Sequence, residues 1–151
     1  MKDNELNEKT KKIPLWLNPE EEVKAIYVRD FLISIETKLI PTQNKICIPI
    51  INRLCRKMAI GLKFNKIKVD GDLIIDGHHR YISSVITGFM IDSVPSTKTL
   101  VTKSYNWSDI LFDDNDWDTE SKILHLNKQD ATYNNLELDT LKQLIQYKNK
   151  S

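Results

Sequence analysis

The sequence contains little cysteine, glycine or histidine. Among its 151 residues are two cysteines, four glycines and three histidines. Cys47 and Cys55 lie eight residues apart in what the pattern predicts to be one helix, where their Cα atoms cannot come within disulfide distance. We therefore expect two buried or half-buried thiols, and we expect no zinc site because its ligands are too few.

Long apolar runs and two common catalytic motifs are also absent. No window approaches the roughly 18 consecutive apolar residues of a transmembrane helix, and residues 1–12 are polar and charged, unlike a signal peptide. The sequence has neither a Gly-x-Ser-x-Gly elbow nor a Walker-type Gly-Lys-Ser/Thr motif. These absences predict a cytoplasmic protein without a membrane-spanning segment, whose chemistry does not depend on a P-loop or a hydrolase elbow.

The composition fits one compact α+β domain. Hydrophobic residues make up 40% and charged residues 28% of the chain, which is enough to bury one core in a protein of this size. We predict a mobile N-terminus over residues 1–12 and a main domain over 13–98. Residues 99–151 are predicted to add a strand and a helical extension that pack on the same domain.

The charges are segregated along the chain, although the formal net charge is only +1. Residues 37–69 contain eight basic residues and no acidic one, whereas residues 109–120 contain six acidic residues and no basic one. The basic segment is suited to attract phosphate, including that of nucleic acid, and the acidic segment is suited to recognise a basic protein partner. The alternative interpretation is that both segments are solvated faces of surface elements.

The middle of the chain has the clearest structural pattern. Pro49 can open a helix whose apolar positions follow helical spacing as far as Gly61. Asp70-Gly71 lies between two β-rich runs and is a strong hairpin signal. Apolar residues then recur at helical spacing up to Gly88, which is suited to end a helix. The predicted order is helix, hairpin, glycine turn and helix.

The flanking regions have weaker patterns. Asn18-Pro19 is typical of a helix start, and the β-branched and aromatic run at 31–36 predicts a strand. We predict another strand over 99–105, followed by two helices. The first of these helices begins after the N-cap candidates at 118–119, and the second begins at Asp139.

The segment Asp76-Gly77-His78-His79-Arg80 combines the groups that phosphate binding requires. A strand ends at Gly77 and a helix begins directly after it, so the first backbone N–H groups of the helix can bind an anion. Arg80 adds a fork of donors, while His78 and His79 can donate hydrogen bonds or transfer a proton near neutral pH. Asp76 can cap the helix or bind a phosphate-bound Mg²⁺. The alternative is a polar first turn with Asp76 as its N-cap and no further function.

The order of a helix, a Gly turn, an Asp-Gly hairpin and Ile-Ile-Asp-Gly-His-His-Arg-Tyr leading into a helix resembles the ParB/sulfiredoxin superfamily. The resemblance covers about residues 26–91, and its specific part is the core from Asp76 to Arg80. In that family a Gly-x-x-Arg box at the helix start binds nucleotide phosphates, and Gly77 and Arg80 match the box. The resemblance implies an α+β fold with a small mixed sheet and packed helices, here with a helical C-terminal extension. The Asp-Gly-His-His-Arg version is most similar to the free serine kinase branch and to ParB-like nuclease domains.

Members of this superfamily have a second polar segment at the end of the first strand, and Ile40 to Lys45 stands where that segment is expected. The resemblance therefore makes Gln43 and Lys45 candidate ligands of the nucleotide phosphates. The kinase branch is expected to have a catalytic Glu near this point, but Gln43 cannot accept a proton from a substrate hydroxyl. In sulfiredoxin a reactive Cys precedes the His-Arg pair; His78 stands there instead, which argues against sulfinic acid reduction.

Together these observations predict a ParB-like nucleotide-phosphate-binding domain that acts in phosphoryl or phosphodiester chemistry, as a nucleotide hydrolase or a nuclease-like enzyme. The catalytic candidates are Asp76, His78 and His79, and the phosphate-binding candidates are Gly77, His78, His79, Arg80, Gln43 and Lys45. The expected cofactor is Mg²⁺ with ATP or another nucleotide, with neither zinc nor flavin. Two alternatives stay open: an ATP- or ADP-dependent small-molecule kinase, and a non-enzymatic binding or regulatory module such as a toxin or antitoxin component.

Overall fold

The computed structural model describes residues 25–35 and 39–150, in which helices and short strands alternate. The helices are α1 (Ala25–Ser34), α2 (Ile48–Ala59), α3 (His78–Thr87), α4 (Glu120–Tyr133) and α5 (Leu138–Lys150). The strands are β1 (Lys45–Cys47), β2 (Ile67–Asp70), β3 (Leu73–Asp76), β4 (Ser93–Pro95) and β5 (Leu111–Asp113), and a 3₁₀ turn covers Trp107–Asp109. The α+β class is confirmed. The predicted mobile terminus at 1–12 and the helix start at Asn18-Pro19 lie outside the described residues.

The described strands form two small sheets. In the first, β2 is central, antiparallel to β3 and parallel to β4, and in the second β1 and β5 form a parallel pair. An isolated parallel bridge joins Ile40 to Leu73 and ties the segment before β1 to the edge of the first sheet. The first sheet is therefore mixed, and the second contains only a parallel pair. None of the helices within the described residues has the length and apolar character needed to cross a membrane.

The predictions for the middle of the chain are confirmed. α2 has Pro49 in its first turn and ends at Ala59, just before Gly61. β2 and β3 form the expected hairpin, in which Asp70 pairs with Leu73 across the turn. α3 ends at Gly88, which adopts the left-handed conformation with φ 73°.

The strand predicted over residues 31–36 is wrong for residues 31–35, and residue 36 lies outside the described residues. Residues up to Ser34 belong to α1, and Val28, Phe31 and Leu32 on one face of that helix are buried in the core. This spacing of three and four residues is helical, and the burial of one helix face outweighs the β-branched composition of the run.

The strand predicted over residues 99–105 is also wrong, because the strand of this region lies later, at β5. Leu100 and Val101 are fully or nearly fully exposed, so this apolar run has no partner surface to pack against. Phe112 in β5 is buried instead and joins the main core. The two C-terminal helices occur where expected, and Thr119 caps α4 by accepting the Lys122 N–H at 3.1 Å.

The main core lies between α1, α2, α3 and the β1–β5 pair. Its buried members are Val28, Phe31, Leu32, Ile46, Ile48, Ile51, Cys55, Ile82, Ile86, Ile110 and Phe112. A second cluster, made of Leu62, Ala131 and Leu141, attaches α4 and α5 to the segment that follows α2. Cys47 and Cys55 are both buried free thiols, and Cys47 ends β1 instead of lying within α2. Burial raises the pKa of Cys55 to about 12.

Candidate functional site

A cleft of about 350 Å³ lies at the start of α3, between α2 and α4. Its walls include the whole segment Asp76 to Arg80, together with Gln43, Arg53, Lys57, Asp118 and Asp130. The structure thus brings Gln43 together with the predicted glycine turn. Lys45, the other predicted ligand from the upstream segment, is exposed in β1 and does not line the cleft.

Gly77 connects β3 to α3 in the left-handed conformation, with φ 99° and ψ 31°. A Cβ at this position would lie 2.6 Å from Cγ2 of Ile67 and 3.0 Å from Nη2 of Arg80, so a side chain is excluded by the backbone conformation and by contact. Gly77 is itself the N-cap and has no side chain, so the N-cap residue makes no side-chain hydrogen bond to the first turn of α3. The prediction that Asp76 caps the helix is therefore wrong. The first N–H groups of α3, which have no acceptor within the helix, are left for another acceptor.

The two neighbouring histidines anchor the site. Nε2 of His78 accepts the Thr42 N–H at 2.9 Å, and Nε2 of His79 accepts the Cys47 N–H at 2.9 Å. Burial lowers the pKa of both rings to about 4, and for His79 the adjacent His78 lowers the pKa further. Both rings are therefore neutral near pH 7 and carry their proton on Nδ1. This geometry favours hydrogen-bond donation by the rings over the predicted proton transfer near neutral pH.

Arg80 lies in the cleft wall, but several of its donors already have acceptors. Nη1 donates to the carbonyl oxygen of Asn65 at 2.8 Å and to that of Lys66 at 3.3 Å, and Nη2 donates to Oδ2 of Asp76 at 3.2 Å. The guanidinium therefore fixes the segment that enters β2 against the start of α3. It also neutralises the half-exposed carboxylate of Asp76 at the rim of the cleft.

Two cations on one face of α2 line the cleft, and each pairs with acidic residues from the C-terminal part of the chain. Arg53 bonds both carboxylate oxygens of Asp116, at 2.6 and 2.9 Å, and Oδ2 of Asp118 at 3.0 Å. Nζ of Lys57 lies 2.7 Å from Oδ2 of Asp130. Hydrogen bonding to Arg53 lowers the pKa of the Asp116 carboxyl. The cleft therefore combines cationic and acidic groups in close pairs.

Residues 113–118, here called the acidic strap, are attached to the edge of the cleft. The Trp117 ring packs edge-on against the His79 ring, with centroids 5.4 Å apart and an interplanar angle of 81°. Nε1 of Trp117 donates to Oδ2 of Asp113 at 2.9 Å, and its backbone N–H contacts Sγ of Cys47 at 3.5 Å. The strap thus contacts His79 of the site and also Cys47, whose backbone N–H is hydrogen-bonded to His79.

The basic segment predicted from the sequence divides in the structure. Arg53 and Lys57 reach the cleft, and Arg56, between them on the same helix, does not line it. The signal available in the sequence was the spacing of four residues between Arg53 and Lys57, which places them on one helix face. Asp118 and Asp130 were missed as site residues, because they lie more than 60 residues from their partners along the chain.

Comparisons with family models, with curated proteins and with solved structures find no match for this chain. The resemblance to the ParB/sulfiredoxin superfamily stays a prediction. Within the described part of the chain, no group of three or more His, Cys, Asp or Glu side chains is arranged to hold a metal ion.

Proposed function

We propose that the chain is a ParB/sulfiredoxin-like domain that binds the phosphates of a nucleotide in the cleft at the start of α3. The observation that carries this proposal is that Arg53 and Lys57 line the same cleft as the N-terminus of α3, whose N-cap residue has no side chain. Backbone N–H groups, the positive end of the helix dipole and two cations together suit a multiply charged phosphate group. A cytoplasmic location, predicted from the sequence, is part of this proposal.

The chemistry that these groups favour is phosphoryl or phosphodiester transfer by positioning and charge stabilisation. Among the described residues that line the cleft there is no Ser, Thr or Cys nucleophile. Gln43 donates its Nε2 hydrogen to the Lys45 carbonyl at 2.7 Å, which leaves its side-chain oxygen to orient a water or a substrate. His78 and His79 supply hydrogen-bond donors through Nδ1.

Mg²⁺ fits this site in one particular way. The site offers no cage of several protein ligands, but Mg²⁺ is commonly held by one or two carboxylates together with substrate phosphates. Asp76, whose side chain is 61% exposed at the cleft rim, is the carboxylate for that role. When bound, the metal would neutralise charge on the phosphates.

A small-molecule kinase is the second candidate, because carboxylates reach the cleft although Gln43 replaces the expected Glu. Asp118 lines the cleft with a side chain only 15% exposed, and its Oδ2 accepts a hydrogen bond from Arg53 at 3.0 Å. Deprotonation of a substrate hydroxyl requires a carboxylate that can accept the proton. Transfer of a labelled terminal phosphate to a small alcohol, with little release to water, would favour the kinase over the hydrolase.

The test is the melting temperature of the purified chain with and without Mg²⁺, nucleoside triphosphates and short DNA. A ligand that binds the native state raises its stability, by about 2.7 kcal/mol at a hundred times its Kd. We expect a nucleotide-specific rise that Arg53→Gln and Arg80→Lys diminish. Lys68→Gln is the matched control, because Lys68 is an exposed basic residue outside the cleft.

The outcomes separate three kinds of function. A rise with nucleotides, unchanged in the control, supports the phosphate site and leads to assays of hydrolysis and transfer. A rise with DNA alone supports a nuclease-like role for the basic segment. No rise with any ligand from the folded protein would overturn the proposal and favour a protein-binding module such as a toxin or antitoxin component.

A further inference from the structure

A second groove, of about 700 Å³, adjoins the cleft along α4. Its walls include Phe64 and Asn65 from the segment before β2, and His125, Lys128, Gln129 and Tyr133 from α4. Phe64, Arg80 and Asp130 lie in the walls of both the cleft and the groove. A ligand that is too long for the cleft therefore has a continuous path along α4.

The groove differs from the cleft in its chemistry. Tyr133 lines the groove and not the cleft, and it provides aromatic surface with a side chain that is about half exposed, at 52%. Phe64 adds a second ring and lines both cavities. Asn65 and Gln129 provide exposed amides, each with donors and acceptors. Aromatic faces stack on nucleobases, and amide side chains can pair with base edges. These groups suit the uncharged part of a nucleotide, whereas the cleft suits its phosphates.

The two walls of the groove are held to each other before any ligand binds. Asn134 bridges them, since its Oδ1 accepts the Lys63 N–H at 2.7 Å and its Nδ2 donates to the Lys63 carbonyl at 3.0 Å. Tyr133 Oη lies 3.5 Å from the Phe64 carbonyl oxygen, and the Phe64 ring packs edge-on against Phe89 at 6.4 Å. A preformed groove binds a ligand with less loss of conformational freedom.

We propose that this groove, the nucleoside groove, holds the sugar and base of the nucleotide whose phosphates bind at α3; the inference rests on the proposed function. Arg80 stands where the two cavities meet, so it lies beside the junction of phosphate and nucleoside. The Asp130 carboxylate does not repel the ligand strongly, because Lys57 neutralises it at 2.7 Å. The resemblance covers residues 26–91, and α4, which forms one wall of the groove, lies outside that range. In this proposal the C-terminal extension therefore selects the base.

The experiment compares the affinity of inorganic tripolyphosphate with that of each common nucleoside triphosphate, by calorimetry in the presence of Mg²⁺. We expect at least one nucleotide to bind about five-fold or more tightly than tripolyphosphate, which is the range of one stacked base. Tyr133→Ala and Gln129→Ala should lower the affinity for that nucleotide to the affinity for tripolyphosphate. The affinity for tripolyphosphate itself should stay unchanged. Tyr133→Phe keeps the ring and should keep most of the preference. Lys122→Ala, on the same helix but outside the groove, is the control.

Each outcome distinguishes this inference from the proposed function. Equal binding of tripolyphosphate and every nucleotide overturns the nucleoside groove and leaves the phosphate site standing. A preference that survives both Tyr133→Ala and Gln129→Ala also overturns it. If neither ligand binds, both proposals fail. If Tyr133→Ala is unfolded at the temperature of the experiment, Gln129→Ala decides the result. Gln129 is exposed, so its truncation removes no core contact.

Discussion

Arg53 and Asp116 form a two-point ion pair in which Nη1–Oδ2 is 2.6 Å and Nη2–Oδ1 is 2.9 Å. Parallel bonds from a guanidinium to two oxygens are the same geometry by which Arg binds a phosphate. In the proposed site, the carboxylate of the acidic strap therefore occupies the donors that a ligand phosphate would use. Ligand binding and this ion pair are in competition.

Asp116→Asn is expected to release Arg53 and to increase nucleotide affinity a few-fold, about 1 kcal/mol or less, because the partly exposed pair contributes only about 0.2–1 kcal/mol. The loss of stability should be correspondingly small. Titration calorimetry of both proteins measures the change. Asp114→Asn, an exposed acid in the same strap, controls for net charge. Equal affinities for Asp116→Asn and wild type would show that the ligand does not use Arg53.

Gly77→Ala is expected to destabilise the fold more than Gly61→Ala, by about 1 kcal/mol or more. Both glycines have positive φ, 99° and 90°, but a Cβ meets Ile67 at 2.6 Å only at Gly77, while nothing lies within 4 Å at Gly61. Backbone strain is shared by the two variants and is about 1–3 kcal/mol in each. The difference in urea midpoints then isolates the steric contact. Equal urea midpoints for Gly77→Ala and Gly61→Ala would mean that β2 moves aside at no cost in the free energy of unfolding.

Stability should fall as the pH is lowered from about 6.5 towards 4. Burial lowers the pKa of His78 and His79 from 6.5 to about 4 in the folded chain. Between these two pKa values the unfolded chain binds more protons than the folded chain. The contribution of the two histidines to the free energy of unfolding is therefore complete above pH 6.5 and is lost as the pH falls. The loss is at most about 1.4 kcal/mol per pH unit for each ring.

Unfolding by urea at several pH values measures this slope. His79→Gln should reduce it, because an amide oxygen can accept the Cys47 N–H without titrating. The same substitution at the exposed His125, His125→Gln, is the matched control variant. An unchanged slope in His79→Gln would mean that His79 does not account for the acid sensitivity.

Lys57→Met alone should destabilise the chain by about 1–3 kcal/mol, because it leaves Asp130 partly buried without its cation. The side chain of Lys57 is 6% exposed and that of Asp130 is 22% exposed. The double variant Lys57→Met with Asp130→Leu should recover much of the loss, since it removes both charges. A double-mutant cycle from urea unfolding gives the coupling. Strictly additive losses would contradict a coupled pair.

The sequence was most informative where structure depends on neighbouring residues. The hairpin at Asp70-Gly71 and the end of α3 at Gly88 follow from turn and capping preferences that act over a few positions. The run at 31–36 was misassigned because β-branched residues favour strands, whereas burial of Phe31 and Leu32 on one helix face decided the outcome. That burial depends on the whole fold and is not visible in a local window.

The candidate site likewise combines local features, which the sequence predicts, with long-range contacts, which it does not. The turn from Asp76 to Arg80 was predicted because it is local, and the resemblance supplied the upstream segment from which Gln43 lines the same cleft. Lys45, the other residue predicted from that segment, is exposed in β1 and does not line the cleft. The carboxylates that meet Arg53 and Lys57 come from a distant part of the chain, and no periodicity or spacing predicts such contacts.

The paired charges of the cleft also determine how fast a ligand arrives. Arg53, Lys57 and Arg80 lie against four carboxylates, those of Asp76, Asp116, Asp118 and Asp130, so these pairs extend no positive net field into solvent to draw in an anion. Encounter is then expected at the rate of unsteered partners, about 10⁵–10⁶ M⁻¹s⁻¹, with weak dependence on salt. For the proposed phosphate ligand, discrimination is then expected after contact, when the phosphate exchanges with a carboxylate, and is therefore expected to be expressed in the residence time of the ligand.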